Sequence, residues 1–376
     1  MRRFLAVMIA VVLALYGLSC VRQSPSVRSV VSPASVDLMN DSSLSEKQRG
    51  VSWVAGPQVV VPEDLATLVE SHVNWIVQTP FGWQEDYDSP HVTLVTDDNY
   101  WGETDTGLVT TNQLAENVGI HSLLKPHIWL TRPSPGKWRG EIEMSSEKDW
   151  QAWFESYRTF ILRYARLAET NNIAILCIGT ELQSTAVARE QDWRQLIADI
   201  RQVYAGQLTY AANWHEGFET IPFWDDLDFI GIQAYFPLSD RTQPTVNELV
   251  AGWQPHLAAI ERVQAQYQKP VIFTEIGYRS VDEAAISPWE WPASGAETRP
   301  TELATASGLA AQANCYEAFF QAVWPKEWLA GVYLWKWFPK LDLAADRVGP
   351  GFSPQHKPAE RVMRNNFLQS AAESSG

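Results

Sequence analysis

The chain has 376 residues, 45% hydrophobic and 19% charged, enough apolar matter for one large core or two modest ones. A formal net charge of −15 argues against a nucleic-acid partner, which needs clustered Lys and Arg. Eighteen Trp is a high count, and rings beyond those the core uses suit stacking on the apolar C–H faces of sugars.

Residues 1–20 read as a secretory signal: Arg2 and Arg3, then an apolar run from Phe4 to Leu15 that is short for a spanning helix. The segment ends Tyr16-Gly-Leu-Ser-Cys20, which resembles a bacterial lipoprotein processing site. That resemblance implies lipidation of Cys20 and an anchored protein of the cell envelope, at the outer membrane or surface. Leu18 stands two residues before the Cys rather than three, so ordinary cleavage and secretion stay open. Residues 21–48, rich in Ser and Val, read as a flexible tether to a single domain over 49–370. Cys177 and Cys315 read as free buried thiols, with neither a disulfide framework nor zinc spacing.

From Gly50 strand-like runs alternate with amphipathic helices. Strands are expected at Val51–Ala55, Asn74–Gln78, His121–Trp129, Ile173–Ile178, Gln207–Asn213, Phe229–Tyr235, Val271–Glu275 and Gly331–Trp335. Helices are expected to begin at Pro62 and to cover 111–119, 146–170, 189–205, 246–267, 303–322 and 357–369. The connection from Thr79 to about Thr110 is long enough to be functional; it carries Trp83, Asp97, Asp98, Tyr100 and Trp101. Eight alternating units predict a closed (β/α)8 TIM barrel, with a doubly wound open sheet as the runner-up. No Gly-x-Gly-x-x-Gly turn follows the first strand, and there is no Walker-type loop.

In a barrel the chemistry belongs at the carboxyl ends of the strands. There the third strand brings Lys125 and His127, the fourth Glu181, and the fifth Asn213, Trp214 and His215. The sixth brings Tyr235, the seventh Glu275, and the eighth Trp335 and Lys336. Trp335 and Trp337 are expected on opposite sides, with Trp335 at the mouth as a sugar platform. Glu181 and Glu275 lie 94 positions apart, three βα units of about 31 residues, so they face one another across the mouth. Two such carboxylates can cleave a glycosidic bond, one protonating the leaving oxygen and the other attacking the anomeric carbon. Structural ion pairs are the competing reading of both. Tyr235 is placed to hydrogen-bond Glu275 and keep it ionised. Asp225, Asp226 and Asp228 read as turn and helix-end residues, not a metal site.

Gly179-Thr-Glu-Leu182, Leu208-Thr-Tyr-Ala-Ala-Asn-Trp214, the run from Phe223 to Pro237, Pro270-Val-Ile-Phe-Thr-Glu-Ile-Gly-Tyr278 and Gly331-Val-Tyr-Leu-Trp-Lys-Trp337 together resemble glycoside hydrolase family 113 over roughly residues 50–340. The resemblance implies a retaining (β/α)8 β-1,4-mannanase with Glu181 as acid/base, Glu275 as nucleophile and no cofactor. The implied substrate is a mannan-type polysaccharide or oligosaccharide, and the only implied membrane contact is an acyl chain on Cys20. Thr180 precedes the acid/base, as in that family, which leaves Asn213 or His215 to contact the sugar 2-hydroxyl. Alternatives are the same mechanism on a glucan, xylan or short mannoside, and a glycan-binding lipoprotein without turnover.

Overall fold

The computed structural model describes residues 46–94, 100–290, 303–340 and 349–374. The expected signal, Cys20 and most of the tether lie outside these residues, as do Asp97 and Asp98. Ten strands occur among them: β1 (Gln48–Trp53), β2 (Trp75–Gln78), β3 (Phe81–Gln84), β4 (His121–Leu124), β5 (His127–Leu130), β6 (Ile175–Thr180), β7 (Gln207–Asn213), β8 (Phe229–Gln233), β9 (Val271–Ile276) and β10 (Leu329–Trp337). Eight of them close into a parallel barrel in the order β1, β10, β9, β8, β7, β6, β4, β2, while β3 and β5 pair separately. The helices are α1 (Ala66–Glu70), α2 (Asp105–Glu116), α3 (Glu147–Thr170), α4 (Gln183–Ala188), α5 (Glu190–Arg201), α6 (Val246–Tyr267), α7 (Ala306–Ala322) and α8 (Pro358–Ser374). The chain is therefore a (β/α)8 barrel and not an open sheet.

The strands are buried on both faces, which is why they read as apolar runs without polar alternation. Val77, Leu123, Ile175, Cys177, Ile272 and Tyr333 meet inside the barrel. Leu124, Leu176, Ile178 and Phe273 face outward under the helices. Long helices start where the sequence supplies caps. The Ser146 hydroxyl accepts from the Asp149 amide ahead of α3, and Thr245 with Glu248 forms a capping box on α6. Near the amino-terminal end of the barrel, Tyr333 fills the interior and donates its hydroxyl to Gln48 Oε1 at 2.7 Å. Gly50 makes room for it: a Cβ there would stand 2.2 Å from the Tyr333 ring.

Strand register departs from regularity just before each of the two opposed carboxylates. Between Cys177 and Thr180, β6 advances three residues while β7 advances two. Between Phe273 and Glu275, β9 advances two while β8 advances one, and β10 shows the same extra residue in β9. A strict two-residue period from the inward Ile272 would turn Glu275 outward. The extra residue reverses that parity and aims Glu275 into the mouth, a known use of β-bulges. Glu181 leaves β6 with φ 54°, in the left-handed region that few non-glycine residues adopt.

Several elements differ from expectation. The expected third strand is two strands: Pro126 has no N–H for the ladder, so β4 ends at Leu124 in the barrel and β5 starts at His127 beside β3. The connection after β2 is not a loop throughout, since it holds β3 and a 3-10 turn at Trp101–Glu103. Moreover, α2 begins at Asp105, capped by the Thr104 hydroxyl, not at 111. The helix expected at 189–205 is α5, ending at Arg201, and a short α4 that was not expected precedes it; β1 starts at Gln48, inside the expected tether. A regular strand puts residues two apart on one face. That alternation breaks between Trp335 and Trp337, where the Trp335–Lys336 peptide is cis, and the two rings do lie on different sides.

Replacing Gly50 by Ala should overpack the Tyr333 site and lower stability by about 1–3 kcal/mol, read as a lower urea midpoint. An unchanged midpoint would show that the ring moves aside freely.

Candidate active site

The carboxyl ends of the strands surround a cleft of about 1160 Å³. Glu181 and Glu275 both reach it, from the ends of β6 and β9, and both are more than nine-tenths buried. Each has its own set of partners.

Glu275 is gripped at both oxygens. Oε1 pairs with the Lys125 ammonium, and Oε2 accepts from the Tyr235 hydroxyl at 2.7 Å. Lys125 is 0% exposed. Its other donors go to the Thr274 carbonyl at 3.3 Å and Gln233 Oε1 at 3.4 Å, so its three N–H bonds meet three acceptors. Thr274 Oγ1 also donates to Gln233 Oε1 at 3.0 Å, which fixes that amide. Burial, then the charge of Glu275, pushes the Tyr235 hydroxyl well above its usual pKa, so it remains a donor at any working pH. The His127 ring stands beside them, its Nε2 4.0 Å from Glu275 Oε1 and without a hydrogen-bond partner. Burial, then Lys125 and Arg139, holds its pKa well below the ordinary histidine range, so His127 is neutral.

Glu181 is held differently. Oε1 accepts from Asn213 Nδ2 at 3.2 Å, and Oε2 pairs with Arg139. The Glu181 amide donates to the Ala211 carbonyl at 2.8 Å, locking the backbone turn to β7. Arg139 comes from a 3-10 turn at Arg139–Glu141, its guanidinium 6.0 Å from the ring centres of both Trp129 and Trp138. One carboxylate thus meets a fully buried ammonium and a phenol, and the other an amide and a guanidinium of the cleft wall.

Most of the other sequence-predicted residues are brought together here. His127, Asn213, Trp214, His215 and Tyr235 line the cleft, as do Trp335 and Lys336. Trp214 stacks on Trp289 with centroids 5.0 Å apart at 25°. Lys125 does not join them: expected among substrate contacts, it lies beneath the cleft with no exposed surface, because the barrel interior between Glu275 and Gln233 is where its charge is matched. Trp83 and Tyr100 reach the cleft, whereas Trp101 packs against the core. Asp225 and Asp226 pair with Arg194, and Asp228 with Arg201, as turn residues do. No metal-holding group occurs among the described residues. Sequence reading missed Arg139 and Glu103; the one signal for Arg139 was a basic residue next to Trp138 in a loop flanking the mouth.

The model of Glycoside Hydrolase Family 113 matches residues 58–348. Among solved structures, a GH113 β-mannanase from Alicyclobacillus acidocaldarius in complex with ManMIm superposes with TM-score 0.71 at 27% identity, over 86% of this chain and 98% of that one. A GH113 β-1,4-mannanase complex gives TM-score 0.70 at 26% identity, over 86% and 99%. A family 5 mannosidase from Rhizomucor miehei, at 11% identity and TM-score 0.57 over 88% and 95%, shares the fold. No curated protein sequence matches.

Removing one partner of a buried pair strands the other charge. Lys125→Met should cost about 3–5 kcal/mol in denaturant unfolding, and adding Glu275→Gln should recover much of it. A double variant no more stable than Lys125→Met would show that the two side chains are not coupled.

Proposed function

The chain belongs to glycoside hydrolase family 113 and is a glycoside hydrolase acting on a polysaccharide or oligosaccharide, and from that premise we propose that it cleaves β-1,4-mannosidic bonds in mannan-type chains with retention of configuration. The observation that carries this reading is the pair of buried Glu at the ends of β6 and β9, each re-aimed into the cleft by an irregularity of its own strand. The name of the Alicyclobacillus neighbour, a β-mannanase, supports the choice of sugar.

In the proposed sequence Glu181 protonates the glycosidic oxygen while Glu275 attacks the anomeric carbon, forming a glycosyl ester and releasing the leaving sugar. Glu181 then takes a proton from water, which attacks the ester and frees Glu275. The surroundings suit the two roles. Lys125 and Tyr235 engage both oxygens of Glu275 and fix its orientation. As the ester forms at one oxygen, the negative charge they answer disappears. Glu181 must exchange a proton twice, and Arg139 occupies its Oε2, so the leaving sugar has to displace that contact. The neutral His127 ring, with Nε2 unpartnered near Glu275, offers a hydrogen bond to the sugar at the bond being cut.

Aromatic rings stand on several sides of the two Glu, Trp214 with Trp289 on one and Trp83 with Tyr100 among the others, which suits a chain cut in its interior. We further propose that residues 1–20 direct the domain to the bacterial cell envelope, with an acyl chain on Cys20 as its only membrane contact and the segment before β1 as tether. No described helix is long and apolar enough to cross a membrane.

Reducing ends should appear when the protein meets β-mannan. Glu181→Gln should slow the reaction by about 10²–10⁴-fold and Glu275→Gln by at least about as much. Faster cleavage of β-glucan or xylan would keep the mechanism and change the sugar. No cleavage of any of these chains would overturn the proposal.

A further inference from the structure

Four carboxylates line the cleft. Glu181 and Glu275 have partners, and Glu216 is exposed, where water answers it. Glu103 is different. It is partly buried, and no described residue makes a hydrogen bond or ion pair with its carboxyl. Burial alone acts on it and pushes its pKa up to about 7. An unpaired carboxylate withdrawn from water is costly, and such a group is expected where a ligand supplies the missing donors.

The backbone under Glu103 is fixed. Its own amide donates to the Tyr100 carbonyl at 2.9 Å, and the Gly102 amide donates to the Gly56 carbonyl at 3.0 Å, tying the turn to the chain just beyond β1. Thr104 then caps α2. The turn therefore places Glu103 at the cleft wall. The nearby charges are already committed. Asp105, at the start of α2, pairs with Arg163 of α3 at 2.8 Å, and the Tyr164 hydroxyl is raised by burial and carries no charge. Lys336 of β10 lies over the Trp335 and Phe338 rings at 5.5 and 5.3 Å.

Position in the barrel says which part of a substrate Glu103 meets. β1 and β7 stand four places apart in a ring of eight, directly across from one another. Trp214 follows β7 and stacks on Trp289. A chain lying from the Trp214 platform toward β1 would pass between Glu181 on β6 and Glu275 on β9 toward the wall that Glu103 lines. Tyr100, 53% exposed, lines the same cleft from the turn that carries Glu103. A ring face beside a carboxyl edge matches a sugar, apolar on its face and polar at its rim.

We propose that Glu103 is a specificity residue: its carboxylate accepts hydrogen bonds from two adjacent hydroxyls of the sugar unit bound at the β1 end of the cleft. The inference rests on the glycan-cleaving reading above but not on which sugar the chain contains. Two acceptor oxygens match two neighbouring hydroxyl donors, and bonds to a charged acceptor are about twice as strong as neutral ones. No hydrogen bond or ion pair joins Glu103 to Glu181 or Glu275, so its contribution is expected in binding.

The test compares wild type with Glu103→Gln and Glu103→Ala on oligosaccharides of whichever of β-mannan, β-glucan or xylan the wild type cleaves. KM should rise about ten- to a hundredfold, with the loss in KM rather than kcat. Calorimetric binding of a hexasaccharide in a Glu275→Gln background should weaken by a similar factor when Glu103→Gln is added. Stability should move the other way. The folded pKa of Glu103, about 7, lies above its unfolded value, so its carboxyl makes wild type lose stability as pH rises from about 4.5 through 7. Glu103→Gln should therefore melt higher than wild type at about pH 8. A structural role would give a lower melting temperature there and an unchanged KM, and either result overturns the inference. A wild type that cleaves none of the three chains would instead overturn the reading on which it rests.

Discussion

The buried pair of Lys125 and Glu275 is the constraint around which the cleft is built. A carboxylate and an ammonium inside an eight-stranded barrel are both expensive, and their attraction offsets the cost only when every remaining donor is matched. Here it is matched: Thr274 and Gln233 take the other two ammonium hydrogens, and Tyr235 takes the second carboxylate oxygen. The result is a carboxyl group fixed at both oxygens by protein donors. Such preorganisation is what a nucleophile needs, because none of these groups has to be reoriented when the bond forms.

That pair constrains its surroundings. Lys125 reaches the axis from the end of β4, where Pro126 then lifts the chain out of the barrel into β5. His127, the first residue of β5, is carried over Glu275 and kept neutral by its burial and then by the same ammonium and Arg139. Glu275 itself reaches the axis only because β9 holds an extra residue. On the other side Glu181 needs a left-handed backbone and its amide bond to Ala211. Both carboxylates thus sit on irregular backbone supported by regular neighbours, and the local cost is carried by the packing of the barrel.

Much of this was legible in the sequence. Strands buried on both faces announce themselves as apolar runs, and the spacing of Glu181 and Glu275 put them on opposed strands. Tyr235 against Glu275 followed from its place at the end of the neighbouring strand. The bulges were hidden for the same reason that the strands were visible: without polar alternation, a change of parity leaves no mark. The split at Pro126 was marked, since a proline inside a strand pattern argues against one continuous strand. Lys125 was placed at the correct strand end but on the wrong surface, because depth along the barrel axis has no sequence signature. Arg139 and Glu103 belong to irregular turns, where no periodicity says which side chain faces a cleft.

Trapping the glycosyl-enzyme tests the account most directly. A 2-deoxy-2-fluoromannosyl fluoride slows both steps and lets the ester accumulate, so digestion and mass spectrometry locate the modified residue. The account predicts one adduct, on the peptide containing Glu275, lost in Glu275→Gln and present in the folded Glu181→Gln variant. An adduct on Glu181, or cleavage of mannan with inversion and no adduct, would contradict it.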